Sequence, residues 1–168
     1  VLAARESVRF SELFEDAMCV VTPTRRTNQA ALRKVEQFWK SVGGRLLRLT
    51  PGTHDALVSR SSHLPHVVAA TLARSVLDPL QPKSQAVLCA TGFRDTTRVA
   101  SGSPEMWRDI AQANRRNLAR ALDEFVRELK GVRALLRAGG ADKLQSFLET
   151  AKARRDKWRA GCVSPSPE

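Results

Sequence analysis

The chain has 168 residues, 42% of them hydrophobic, with three cysteines and a formal net charge of +11. That length fits one ordinary domain or one domain with a piece of another, and no apolar run reaches the roughly 18 residues of a membrane span. Cys19, Cys89 and Cys162 are widely spaced and form no CxxC pair, which speaks against a thiolate zinc site or a disulfide frame and for a reducing, cytoplasmic setting.

No secretory or transit segment is visible at the start, and the first residue is Val1, so the chain is expected to be an internal stretch of a longer protein. "MCVVTP" (18–23) reads as a short buried strand ended by proline. "TNQAALRKVEQFWKSVGG" follows with Thr27 as its expected N-cap and apolar residues at Leu32, Val35, Phe38, Trp39 and Val42. That is helical spacing, and Gly43-Gly44 is the stop. "RLLRLTP" (45–51) is a second strand, which makes a βαβ unit of a parallel sheet. One such unit cannot cover both its faces, so the opening third reads as the end of an α/β domain.

Beyond Gly52 no strand is convincing. Residues 53–78 read as helix, broken or kinked at Pro65. "DPLQPKS" is a loop and 84–90 a short helix. Ser103 caps a helix with Pro104 at its first position. Apolar residues recur from Trp107 through Ile110, Leu118, Leu122, Phe125, Leu129 and Leu136 up to Gly139-Gly140, a helix of roughly 35 residues and about 50 Å. A partner helix, from a second copy, is its simplest cover. A last helix is expected from Asp142 to Trp158, with "GCVSPSPE" (161–168) as a disordered tail.

The basic residues are scattered along helices beside acids, as in "DEFVRELKGVR", and the chain has no tyrosine. Stacking platforms for single-stranded nucleic acid are therefore scarce. The charge fits a solvated surface, or a field that draws in an anionic ligand. All three histidines, His54, His63 and His66, fall in one short region. His63 and His66 stand at i and i+3 on one helical face beside Pro65, where freed backbone groups suit an anion. They could equally be partly buried and bonded to the backbone. A metal site would have to draw on His54 and Asp55 as well, and no further histidine exists. In "GFRDTTRVASGSPEMW", Arg94 and Arg98 lie at i and i+4, where like charges repel. Asp95 can satisfy one of them, and the other can take a carboxylate or phosphate in bidentate fashion. A surface salt-bridge cluster is the alternative. Trp107 is either core or the wall of a pocket.

"SRSSHLPHVVAATLA", "GFRDTTRVASGSPEMWRDI" and "NRRNLARALDEF" together resemble the C-terminal half of prephenate dehydrogenase, the NAD-linked enzyme of tyrosine biosynthesis, and its close relative arogenate dehydrogenase. "VVTPTRRT", "VGG" and "HD" also fall where that family has them, so the likeness runs from about residue 10 to 158. It implies a mostly α fold: residues 1–51 as the end of a Rossmann-type nucleotide-binding α/β domain, then 52–160 as a helical substrate-binding and dimerisation domain. It implies a cytoplasmic homodimer paired through the long helices, with no nucleic acid or membrane partner and no metal.

The same resemblance assigns roles. Arg98 matches the arginine that clamps a substrate carboxylate. His66, with His63 and Ser62, matches the pocket wall. Asp95 and Arg94 match pocket and dimer-contact residues near Trp107, while His54 and Asp55 match a supporting pair. The substrate would be prephenate or arogenate, oxidised with loss of carbon dioxide. The family's glycine-rich dinucleotide loop and its catalytic His-Pro segment do not occur in these residues. No catalytic residue is therefore expected here, and NAD or NADP would be bound mainly elsewhere. Thr91 and Thr96 depart from the family's usual glycine and aromatic. A basic nucleic-acid-binding module and a metal-dependent His-Asp phosphohydrolase are the competing readings.

Overall fold

The computed structural model describes residues 14–163. Met18–Val21 forms β1 and Arg45–Arg48 forms β2, paired in parallel with Met18 beside Arg45 and Val21 beside Arg48. Parallel neighbours need a crossover, and α1, Gln29–Ser41, supplies it. The expected βαβ unit is present. Asn28 rather than Thr27 caps its helix, accepting from the Ala30 and Ala31 amides at 2.9 and 3.0 Å. Thr27 is spent one turn earlier, where its hydroxyl accepts from the Thr24 amide at 2.9 Å. Gly43, at φ +83°, turns the chain out of α1. Such a φ is open to glycine at no steric cost.

Val21 and Leu32 are the buried apolar residues of this unit, whereas Met18, Val20, Val35, Phe38 and Leu47 are exposed. An ion pair between Glu36 and Arg48 ties α1 to β2. The hydrogen bond from Arg48 holds the Glu36 carboxyl below its ordinary pKa.

From Pro51 onward the described residues are helical or in turns. Thr50 caps α2, Pro51–Val58, by accepting from the Thr53 amide at 3.1 Å. The expected break at Pro65 takes a definite form: a π-helical turn, Ser59–His63, inserted between α2 and α3, Leu64–Val76. Proline has no amide hydrogen, and its ring crowds the carbonyl four residues back. The chain widens ahead of it, and the Leu64 amide reaches back five residues to the Ser59 carbonyl. Such single wide turns recur at functional sites.

Next come α4, Lys83–Val87, and α5, Thr91–Thr97, then a 3-10 turn, Arg98–Ser101, packed against α3. Ser103 caps α6, Pro104–Ala113, accepting from the Met106 amide at 3.2 Å. The single helix of roughly 35 residues expected from periodicity is instead two. Asn114, at φ −110° and ψ 24°, interrupts it before α7, Arg115–Arg137. The last helix, α8, runs Ala141–Val163, past the expected end at Trp158 and into the segment expected to be a disordered tail. Residues 164–168 of that tail lie outside the described residues.

The chain divides into two compact units between Leu118 and Ala119. In the second, Gly139 at φ +65° turns α7 into α8. Val126, Leu129, Leu136, Leu148 and Trp158 of this unit are exposed. Among the described residues no helix is long and apolar enough to cross a membrane.

Candidate substrate cavity

The turn around Pro65 sets both nearby histidines on one cavity. Its volume is about 290 Å³, and the π-helical turn, α3, α6 and the first turn of α7 wall it with His63, His66, Val67, Arg74, Trp107 and Leu118 among others. The i, i+3 spacing put His63 and His66 on a common face, and here they share the wall.

His66 is 7% exposed. Its imidazole stacks on the Trp107 indole, with centroids 3.5 Å apart and planes 9° from parallel. His63 meets the same indole edge-on, at 6.3 Å and 83°. The His66 Nδ1 is buried and has no hydrogen-bond partner among the described residues. A buried polar atom in that condition calls for an explanation, and a ligand group is one. Burial lowers the pKa of His66. It also lowers that of His63, where the Asp55 charge opposes the effect and His54 adds to it. Both rings are thus neutral near neutral pH, and among the lining residues the formal charge is that of Arg74 on α3.

Asn114 orients His63. Its Nδ2 donates to the Asp55 carbonyl at 2.7 Å and to the His63 Nδ1 at 3.3 Å, while its Oδ1 accepts from Asn117 at 2.9 Å. An amide nitrogen only donates, so the network assigns His63 an acceptor Nδ1 and a proton on Nε2. Asn114 opens "NRRNLARALDEF", yet nothing in the sequence analysis gave it a task. The available signal was its place on the stripe Trp107, Ala111, Asn114, Leu118, a polar residue where helical spacing calls for an apolar one.

The remaining expected residues lie around this cluster. His54 and Asp55 are partly buried on α2, with Nδ1 and Oδ1 3.1 Å apart, and the Asp55 carbonyl anchors Asn114. Ser62 is exposed on the π-helical turn. Arg94 and Asp95 are exposed on α5, and Arg98 is exposed at the start of the 3-10 turn. None of these four lines this cavity. Asp95 makes no ion pair with either arginine among the described residues, so the neutralisation expected of it is absent. The fold therefore gathers His63, His66 and Trp107, braces them through Asn114 on Asp55, and leaves Arg98 on a neighbouring turn.

Among the described residues no group of three or more His, Cys, Asp or Glu is placed to hold a metal ion. Nor is a glycine-rich pyrophosphate loop found among the described residues. The connection from β1 to α1, "TPTRRTN", contains no glycine, and a pyrophosphate loop needs that close backbone approach.

Comparison with known proteins agrees with this picture. Residues 50–150, more than half of the chain, match the family model described as prephenate dehydrogenase, dimerization domain. The chain is 36% identical over 149 residues to the prephenate dehydrogenase of Bacillus subtilis, covering 86% of this chain and 39% of that protein. It is 35% identical over 149 residues to the cyclohexadienyl dehydrogenase of Zymomonas mobilis, covering 86% and 50%. Among solved structures, Synechocystis arogenate dehydrogenase superposes with a TM-score of 0.76 at 30% identity, covering 87% of this chain and 54% of that one. The A. aeolicus prephenate dehydrogenase in complex with hydroxyphenyl propionate and NAD+ gives 0.79 at 31% identity, covering 85% and 50%. The chain thus spans about half or less of the length of these relatives. By the family model that matches more than half of it, and by the fold it shares with these relatives, the chain belongs to the prephenate dehydrogenase family.

Proposed function

We propose that this chain is the substrate-binding and dimerising part of a cytoplasmic NAD(P)-linked dehydrogenase acting on prephenate or arogenate. The observation that carries the reading is the aromatic slot of His63, His66 and Trp107 within the matched residues. The complete enzyme passes a hydride from the substrate ring to the nicotinamide as carbon dioxide leaves, giving 4-hydroxyphenylpyruvate from prephenate or tyrosine from arogenate. Residues 1–51 belong to the nucleotide-binding domain and 52–160 to the substrate and dimer domain. The dinucleotide is bound mainly by residues other than these.

Within that division the slot has a specific task. His66 and Trp107, stacked on each other in the wall, offer aromatic surface to a planar or near-planar six-membered ring. Arg98 clamps a carboxylate from the edge, with Arg94, Asp95 and Ser62 near the entrance, while His54 and Asp55 brace the wall through Asn114. Holding the ring in one pose is worth about 7–11 kcal/mol of barrier when it aligns the reacting carbon with its acceptor. The exposed apolar residues of α7 and α8, Val126, Leu129, Leu136 and Leu148, support pairing with a second copy.

Calorimetric titration of the 168-residue chain with hydroxyphenyl propionate, the compound in the A. aeolicus complex, tests the reading. Saturable binding is expected, together with no NADH from prephenate and NAD+. Absence of binding contradicts the substrate role. NADH formation contradicts the division of labour.

A further inference from the structure

Gly102 closes the 3-10 turn after Ser101, at φ −67° and ψ 162°, a conformation open to any residue. Its lack of a side chain therefore answers a need for space, not for backbone freedom. A Cβ built there would lie 2.7 Å from the Trp107 Nε1, 3.0 Å from its Cδ1 and 3.4 Å from the His66 Cε1. The first distance is shorter than packed atoms tolerate, because interiors leave few gaps to absorb an added methyl. The indole cannot yield by tilting toward His66, since that ring already lies 3.5 Å from it and nearly parallel. It must slide or rotate out of the stack. Gly92, Gly131 and Gly139 carry no such restriction, with nothing within 4 Å of an added Cβ.

We propose that Gly102 is a positioning residue, whose bare backbone lets Trp107 lie flat on His66 and thereby fixes the aromatic wall of the cavity. This rests on the substrate reading above for its consequence, and on the contact distances alone for its mechanism. A methyl at 102 displaces the indole, uncovers the His66 face and changes the width of the slot in which a six-membered ring would lie. Control of this wall thus sits on the same connection as Arg98, four residues before Gly102, so a single turn sets both the ring slot and the carboxylate edge.

The chain's three histidines give three imidazole ε1 signals in a proton–carbon correlation spectrum, which makes the stack directly readable. The His66 signal is expected upfield of the other two, because its ring lies over the indole face. In Gly102→Ala it should lose that displacement while the His54 signal stays. In a Trp107→Phe background the same change at 102 should move His66 much less, since phenylalanine lacks the Nε1 that meets the new methyl at 2.7 Å, and only the longer contacts with Cδ1 and with the His66 Cε1 remain. An unmoved His66 signal in Gly102→Ala overturns the proposal, and so does an equal shift in both backgrounds. Should Gly102→Ala fail to fold, recovery of the fold on adding Trp107→Phe supports the same contact, and no recovery overturns it. Hydroxyphenyl propionate separates the mechanism from its consequence. Gly102→Ala is expected to bind it about tenfold more weakly than the wild type, and equal affinities overturn the claim that Gly102 shapes the slot. A wild-type chain that does not bind the compound removes the substrate reading, while the resonances still decide the role of Gly102.

Discussion

Asn114→Ala is expected to lower the stability of the chain by about 2–4 kcal/mol, read as a reduced denaturant midpoint at unchanged slope. The amide joins three places at once: the Asp55 carbonyl on α2, His63 on the π-helical turn and Asn117 on α7. Truncation leaves those partners unpaired, and a buried group without its partner costs about 1–3 kcal/mol. A loss within about 0.5 kcal/mol of zero, the range of ordinary surface changes, would show that the network is not a brace. The same network gives stability a pH dependence of known sign. His63 and His66 both have folded pKa values below the ordinary 6.5. Above that value both states are neutral and the stability is fully present. As the pH falls through about 6.5 the unfolded chain takes the protons first, so stability drops until the folded values are passed. The denaturant midpoint should fall between about pH 7.5 and about pH 5.5, and His63→Gln should flatten part of that fall. A rise in midpoint over this range contradicts the neutral state of the two imidazoles.

Arg98→Ala, made in the proposed full-length dehydrogenase, is expected to weaken substrate binding by about 2–5 kcal/mol, or roughly 30-fold to several thousand-fold in KM. The affinity for NAD+ should barely change. Arg98 opens the turn that packs on α3 and makes no ion pair or hydrogen bond among the described residues. A guanidinium so placed has its full donor set available for a carboxylate. Its exposure leaves it outside the aromatic slot, which suits a role at the edge, where the acid group of a ring substrate would project. The effect should appear in KM more than in kcat, since a clamp that holds substrate and transition state alike is uniform binding. Unchanged KM removes Arg98 from the site. A fall in kcat alone would give it a part in the chemistry instead.

What could be read in the sequence follows the range of the forces involved. Pro65, Gly43 and the Ser103–Pro104 start act within one turn of themselves, so their effects were visible in advance. Thr27 and Asn28 are both good caps, and only the backbone angles decide between neighbours. The interruption at Asn114 was not visible, because its main partner, the Asp55 carbonyl, is 59 residues away. Periodicity alone carried the helix straight through. His63 and His66 could be paired by spacing, but the stack of His66 on Trp107 joins α3 to α6 and depends on Gly102, which no local pattern exposes. Arg98 was legible as an arginine with a repelling neighbour. Its position on a 3-10 turn beside the slot, with Asp95 too remote to pair, was not.

One titration decides most directly whether the slot receives the substrate: hydroxyphenyl propionate added to the chain while the three imidazole ε1 signals are followed. Signals of His63 and His66 that move together and saturate, with His54 nearly still, are the predicted result. Movement confined to His54, or none at saturating ligand, would contradict it.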